Sequence, residues 1–171
     1  MLADDHSSKF VLKELDSSHI DHKLAITATN AELPVSYITL NAQNGSRTIV
    51  HYRNLEEYSS EHFLNIDYQA FDWIHFEGRN VVELKKMCEH LVSSGFTRFS
   101  IEVEKHREGL EDVFSYPQII MFSRAYVHES HESVKAFFET LRDKGISADL
   151  YCAWGKAGGW AMSKNNQLYQ Q

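Results

Sequence analysis

The feature that most constrains this chain is an alternation that begins near residue 65. Apolar runs of strand character take turns with helical stretches, and glycine or proline punctuates the joins. Phe71 to Phe76 reads as a strand. A helix follows from Asn80 to about Ser94 and stops at Gly95, a residue type that accepts left-handed backbone after a last turn. Asn80-Val-Val-Glu83 at its start has the spacing of a capping box, with asparagine as the cap. Arg98 to Val103 is the next strand, and a short helix spans about Arg107 to Phe114. Pro117 precedes the strand Gln118 to Phe122, and a helix from about His131 to Lys144 ends at Gly145. Asp149 to Trp154 is a further strand. Trp160 to Ser163 and Gln167 to Tyr169 make a last strand pair around Lys164-Asn-Asn166. Three strand–helix–strand units in a row dictate an α/β fold, a mostly parallel sheet flanked by helices. Right-handed crossovers bring the C-terminal strand ends to one side. Ligands of open α/β sheets bind outside those ends. The loops starting at Glu77, Glu104, Ser123 and Gly155 are therefore the candidate ligand loops.

The chain before residue 65 has a different pattern. Ser8 is placed to cap a short helix through about Asp16, with Phe10, Val11, Leu12 and Leu15 as its apolar face. Leu24 to Thr29 reads as a strand. Val35 to Leu40 and Arg47 to Tyr52 are two β-rich runs joined across Asn44-Gly45, a pair that tolerates positive φ, so residues 35–52 form a hairpin. No repeat, low-complexity tract or linker divides the chain, so residues 1–171 read as one domain.

Composition excludes several classes. The 171 residues carry 17 basic and 24 acidic side chains, a formal charge of −7. Neutralising a phosphate backbone or an anionic membrane needs clustered Lys and Arg, so no nucleic acid or membrane partner is expected. No apolar run reaches membrane-spanning length, and MLADDHSS has neither the basic nor the apolar part of a secretory signal. The two cysteines, Cys88 and Cys152, form no CxxC and no zinc pattern, which fits a reduced, cytoplasmic setting. Cys152 lies in an apolar strand and reads as a small buried hydrophobe. The ten histidines show no HExxH spacing, and the pairs His19/His22 and His128/His131 lack accompanying metal ligands; no metal site is read.

Four loops carry chemistry, each with a plain structural alternative. Glu77-Gly-Arg-Asn80 opens a helix, where free N–H groups and the forked Arg79 suit an anion; equally, Gly78 makes the turn, Asn80 caps and Arg79 is solvated. Gly155-Lys-Ala-Gly-Gly159 lets a backbone approach a ligand closely, or simply connects into a hairpin. It is neither a GxGxxG nor a GxxxxGK[ST] motif. In Glu102-Val-Glu-Lys-His-Arg107, Glu104 could orient a magnesium-bound water and the cations could meet phosphate, or the group is a solvated helix start. Arg47, at a hairpin end, is either solvated or a ligand contact.

Read in order, these segments resemble one family. Asn44-Gly-Ser-Arg-Thr-Ile49, Phe71-Asp-Trp-Ile-His-Phe-Glu-Gly-Arg-Asn80, Ile101-Glu-Val-Glu-Lys105 with Arg107-Glu108, and Cys152-Ala-Trp154 before a glycine loop are similar to the ketohexokinases, the fructose-phosphorylating branch of the ribokinase-like (pfkB) sugar kinases. The resemblance implies a partial ribokinase-like fold in which hairpin 35–52 belongs to a β lid, the β-clasp, that pairs with a second lid in a homodimer. It implies ATP and Mg2+ as cofactors, a ketose sugar as partner, and transfer of the γ-phosphate to the 1-hydroxyl of fructose. Arg47 matches the arginine on the ATP phosphates. Gly155, Lys156, Ala157 and Gly158 match the stretch lining the nucleotide. Lys156 stands where these kinases usually carry an acidic residue. Arg79, Asn80 and Glu104 fall in the phosphate and magnesium neighbourhood.

Departures from the pattern matter as much. The family's sugar-binding aspartate and GGN segment have no counterpart here, and neither does the GAGD motif that supplies the anion-hole amides and the base aspartate. No catalytic residue is therefore assigned, and the chain is expected to be inactive by itself. The alternative is a non-catalytic truncated product acting as a nucleotide-binding or dimerising module. Apolar surface is expected to lie open around Phe71, Trp73, Ile101 and Ile119.

Overall fold

A computed structural model describes residues Met1–Gln171. The chain folds as two compact units, Met1–Tyr58 and Ser59–Gln171.

In the first unit, strand β1 (Leu2–Ala3) leads into helix α1 (His6–Ser17), and β1 pairs in parallel with β2 (Thr27–Ala28). The helix is capped by Asp5 rather than Ser8. The Asp5 carboxylate accepts from the Ser8 amide at 2.7 Å and from the Leu33 amide at 2.8 Å. These bonds, the Leu33 one foremost, hold its pKa below the usual carboxylate value. Ser8 is instead buried, its hydroxyl accepting from the Ala3 amide. Phe10, expected on the apolar face of α1, is exposed, because the covered stripe runs Ser8, Val11, Leu12, Leu15 at i, i+3, i+4, i+7 and Phe10 falls outside it. Only Thr27–Ala28 of the expected strand Leu24–Thr29 is paired as strand. The hairpin forms as read: β3 (Val35–Leu40) and β4 (Arg47–Tyr52) pair antiparallel from Val35 opposite Tyr52 to Leu40 opposite Arg47. Gly45, at φ 70°, closes the connection.

The second unit begins with a short helix, α2 (Ser60–Phe63). Strand β5 (Ile74–Glu77), helix α3 (Val81–Ser93), β6 (Phe99–Val103), β7 (Ile119–Phe122), helices α4 (Arg124–His128) and α5 (Val134–Asp143), and β8 (Asp149–Ala153) follow. Then come β9 (Gly159–Met162) and β10 (Leu168–Gln170). One six-stranded sheet results, in the order β10-β9-β8-β7-β6-β5. β5 to β8 are parallel, and β9 and β10 run antiparallel at the end.

Laid down in sequence with right-handed crossovers, the parallel strands receive their connecting helices on one face. That face carries Phe76, Ile101, Ile120, Leu150 and Met162 in register, all but the half-buried Phe76 fully covered. Helix α3 buries Leu84, Met87, Cys88 and Leu91, and α5 buries Val134, Phe137, Phe138 and Leu141. Both follow the i, i+3, i+4, i+7 spacing of a helix stripe. Phe122 anchors the packing, with ring centroids 4.8 Å from Phe137, 5.5 Å from Phe114 and 5.5 Å from Tyr126. The Arg142 guanidinium staples the end of α5 to the sheet, donating to the carbonyls of Ile146, Ala148 at 2.8 Å and Ser163 at 2.9 Å.

The opposite face is open. Met121, Tyr151 and Tyr169 lie on one row across it and keep 40%, 44% and 51% of their surface exposed. Of the residues expected to be uncovered, Phe71 and Trp73 are, and Ile119 is half-buried. Ile101 is a correction: it is fully buried, because strand alternation points it at the helices while its neighbours Ser100 and Glu102 face the other way.

Several element boundaries also differ. The β5 ladder starts at Ile74, not Phe71. The helix expected at Arg107 to Phe114 is a single 3-10 turn, Leu110–Val113. The one helix expected over His131 to Lys144 is preceded by a second, α4, and α5 starts only after Ser133, whose hydroxyl accepts from the Ala136 amide. The capping box at α3 does not form. Asn80 adopts left-handed backbone, φ 42° and ψ 60°, and its side chain caps nothing. Glu83 turns instead to Lys86, 2.6 Å away, and to Ser60, accepting from its amide at 2.7 Å and its hydroxyl at 2.6 Å. The Lys86 contact, then the Ser60 bonds, hold the Glu83 carboxyl down at about 2.

A carboxylate with a depressed folded pKa adds stability above its unfolded value that is lost as pH falls through the folded one. Glu83→Gln is expected to melt below the parent at neutral pH, with the gap closing between pH 4.5 and about 2. Thermal melts across that range check this, and a gap that stays constant contradicts it.

Candidate functional site

The register of β5 to β8 brings four strand exits to one edge of the sheet. Gly78 leaves β5 with its amide still bonded to the Glu102 carbonyl at 2.7 Å, and it is buried. A Cβ there would sit 2.8 Å from that carbonyl oxygen and 3.4 Å from the Leu110 methyls. Glycine is therefore required by close approach, since its φ is not in the left-handed region.

Arg79 follows, with Nε 2.7 Å from the Glu77 carboxylate and Nη2 3.9 Å from Glu104. Glu77, Gly78, Arg79, Glu102, Glu104, Lys105 and Arg107 line one small cavity of about 60 Å³. Three carboxylates and three cations share it, so its local charge is balanced. The exits of β6 and β7 are tied together by the Ser123 hydroxyl, which donates to the Glu104 carbonyl at 2.6 Å and accepts from the Tyr126 amide at 3.0 Å. Asn80 is exposed beside the cavity. Arg79 and Glu104 are thus brought together. No three His, Cys, Asp or Glu side chains converge as a metal-binding group.

The β8 exit is a turn built on Trp154, Gly155, Lys156, Ala157 and Gly158. The Trp154 amide bonds the Gly158 carbonyl at 2.8 Å, and the Gly158 amide bonds the Gly155 carbonyl at 3.1 Å. Gly155 has φ 62°, and Gly158 has φ 84° and ψ −140°, a region that only glycine occupies without strain. A Cβ on Gly158 would also collide with the Gln171 carbonyl. Gly155, Lys156, Ala157 and Gly158 are all exposed. Gly158 borders a broad apolar concavity of about 800 Å³ over the open sheet face, lined by Tyr151, Ala153, Ala161 and Tyr169 among others. That volume suits a drug-sized or nucleotide-sized ligand. Cys152, at the same strand end, is buried, and burial pushes its thiol up to about 11, so it stays protonated and inert.

Arg47 belongs to the first unit. It is exposed at the start of β4, opposite Leu40, beyond a connection held by the Gly45 amide to the Asn41 carbonyl at 2.9 Å.

Two features of this edge were not read from sequence. His106 stacks on Tyr126, ring centroids 3.7 Å apart, and its Nε2 donates to the Tyr126 carbonyl at 2.9 Å. Helix α4 presents Arg124 and His128 to Trp154. The Ser123 cap three residues before Tyr126 is the one sequence signal for α4.

No protein-family profile matches the chain. Ketohexokinase of Mus musculus is 32% identical over 181 aligned positions, which span 98% of this chain and 59% of that protein. A ribokinase of Giardia lamblia superposes with a TM-score of 0.78 at 12% identity, over 99% of this chain and 57% of that one. A fructokinase of Xylella fastidiosa gives 0.73 at 14%, over 99% and 60%. An E. coli protein assigned as a ribokinase II, solved with ATP and Mg2+, gives 0.76 at 14%, over 99% and 59%. The chain resembles ketohexokinase along nearly its whole length, has the fold of the ribokinase-like carbohydrate kinases, and spans less than two thirds of each of these relatives.

Gly78→Ala is expected to cost about 1–3 kcal/mol by overpacking the β5–β6 exit. A lowered urea midpoint with an unchanged slope checks this, and an unchanged midpoint contradicts it.

Proposed function

We propose that this chain is the central portion of an ATP-dependent carbohydrate kinase of ketohexokinase type, a soluble cytoplasmic enzyme that passes the γ-phosphate of ATP to the 1-hydroxyl of fructose. The observation that carries the reading is the match to ketohexokinase along 98% of the chain. The geometry supports it. Four strand exits share one edge, and the β8 exit is a preformed, exposed glycine turn beside an apolar concavity. Phosphoryl transfer is a matter of positioning and charge neutralisation.

In this reading Gly155, Lys156, Ala157 and Gly158 line the nucleotide, and Arg47 keeps the role that the resemblance implies for it, that of the arginine on ATP phosphates. Arg79 and Asn80 stand by the phosphate path, with Glu104 as the carboxylate for magnesium-bound water. The fit to Mg2+ rests on that oxygen chemistry: the ion keeps several waters and is held largely through substrate phosphates. Bound in this way, Mg2+ would supply charge neutralisation on the phosphate oxygens. Arg79 is already paired with Glu77 and Glu104, so it would act as part of a balanced group.

The hairpin 35–52 is the lid. Tyr37, Ile38, Leu40, Val50 and Tyr52 are exposed on its two faces, more apolar surface than a free ribbon keeps in water. A homodimer joined through this lid accounts for that surface.

The sequence holds no GAGD segment, the source of the base and anion hole in the kinases it resembles. Those groups supply most of the transition-state stabilisation. The isolated chain is therefore expected to bind ATP and to turn over no fructose in an assay coupled to ADP release. Robust turnover refutes this. Sedimentation is expected to find a dimer that Tyr37→Asp shifts to monomer; a monomeric parent chain removes the lid assignment.

A further inference from the structure

Arg124 is the first residue of α4, at the exit of β7, and it is exposed. Its guanidinium carbon lies 5.3 Å from the centre of the Trp154 ring, and Nη1 is 4.0 Å from where a Cβ on Gly155 would stand. Arg79, at the neighbouring edge, is spent on two carboxylates, whereas Arg124 has none within ion-pair distance. His128, four residues on and so on the same helix face, also packs on Trp154, ring centroids 4.7 Å apart. Trp154 is thereby held by two side chains of α4. The Arg124 guanidinium lies beside the glycine turn that follows it.

A guanidinium lying over an indole uses its face for the ring and leaves its N–H groups at the rim. Those donors form a planar fork that matches phosphate oxygens in pairs. Because the cation is not neutralised by the protein, its charge is available to an anion, and the glycine backbone beside it leaves room for one. We propose that Arg124, oriented by Trp154, is a phosphate-contacting residue for the nucleotide seated on Gly155–Gly158. This rests on the nucleotide reading of that turn. It adds a residue that the resemblance did not supply.

The experiment is calorimetric titration of the full chain with ATP and with adenosine, for the parent, Arg124→Ala and Arg124→Lys. Circular dichroism melts confirm that each variant folds. ATP affinity is expected to fall about tenfold in Arg124→Ala, as for one charge-assisted contact, and to be partly restored in Arg124→Lys. Adenosine affinity is expected to stay unchanged in both. Equal losses for ATP and adenosine overturn the assignment, since a residue acting only by shaping the turn affects both. Unchanged ATP affinity in Arg124→Ala overturns it while leaving the nucleotide reading intact. A parent chain that binds neither compound overturns the nucleotide reading and this assignment with it. Where a variant fails to fold, competition of inorganic tripolyphosphate against ATP on the parent chain decides: no displacement overturns the phosphate contact.

Discussion

The structure depends on one row of apolar side chains. Phe76, Ile101, Ile120 and Leu150 stand in register on the face of four parallel strands that the helices cover. A strand that slipped by one residue would turn this row to water and bring Glu77, Glu102, Met121 and Tyr151 into the core. Burying each large apolar side chain is worth about 1.5–3 kcal/mol, so the correct register is strongly enforced. Register in turn decides where the strands end. The exits at Glu77, Glu104, Ser123 and Gly155 share an edge because the hydrophobic row permits no other alignment. The candidate site is a consequence of core packing.

Charge is distributed unevenly along that edge. Near β5 and β6, Arg79 is balanced by Glu77 and Glu104, and the cavity around it holds as many acids as bases. Near β7 and β8 the cation Arg124 rests on an aromatic ring and faces an open glycine turn. An anion approaching the first region must compete with carboxylates. In the second it meets donors that have no protein anion to satisfy. The chain's overall charge of −7 conceals this local arrangement, which only the fold assembles.

Much of the architecture was legible in the sequence, for identifiable reasons. Hairpin 35–52 was read to the residue, because Asn44-Gly45 fixes the turn and β-rich runs flank it. The parallel order of β5 to β8 follows from their alternation with helices. What local reading missed was decided by contacts distant in sequence. Asp5 displaced Ser8 as a cap because its second oxygen reaches Leu33. Asn80 and Glu83 have capping-box spacing, yet Ser60, 23 residues earlier, claims the glutamate. Ile101 looked like an open-face residue until strand parity placed it under the helices. Helix α4 is only five residues long, too short to show a helical period. The candidate site was legible as loops. The pairing of Arg79 with Glu104 and the clamp on Trp154 needed three dimensions.

The nucleotide is proposed to sit on the turn after β8. Amide chemical shifts of the labelled chain, followed by NMR as ATP is added, test it most directly. The largest changes are expected on Gly155, Ala157, Gly158 and the neighbouring exits at Gly78 and Ser123. Gly95 and Gly145, in the loops that feed the opposite ends of the strands, should stay still. Changes concentrated at Gly95 and Gly145, with Gly155–Gly158 unmoved, would contradict it.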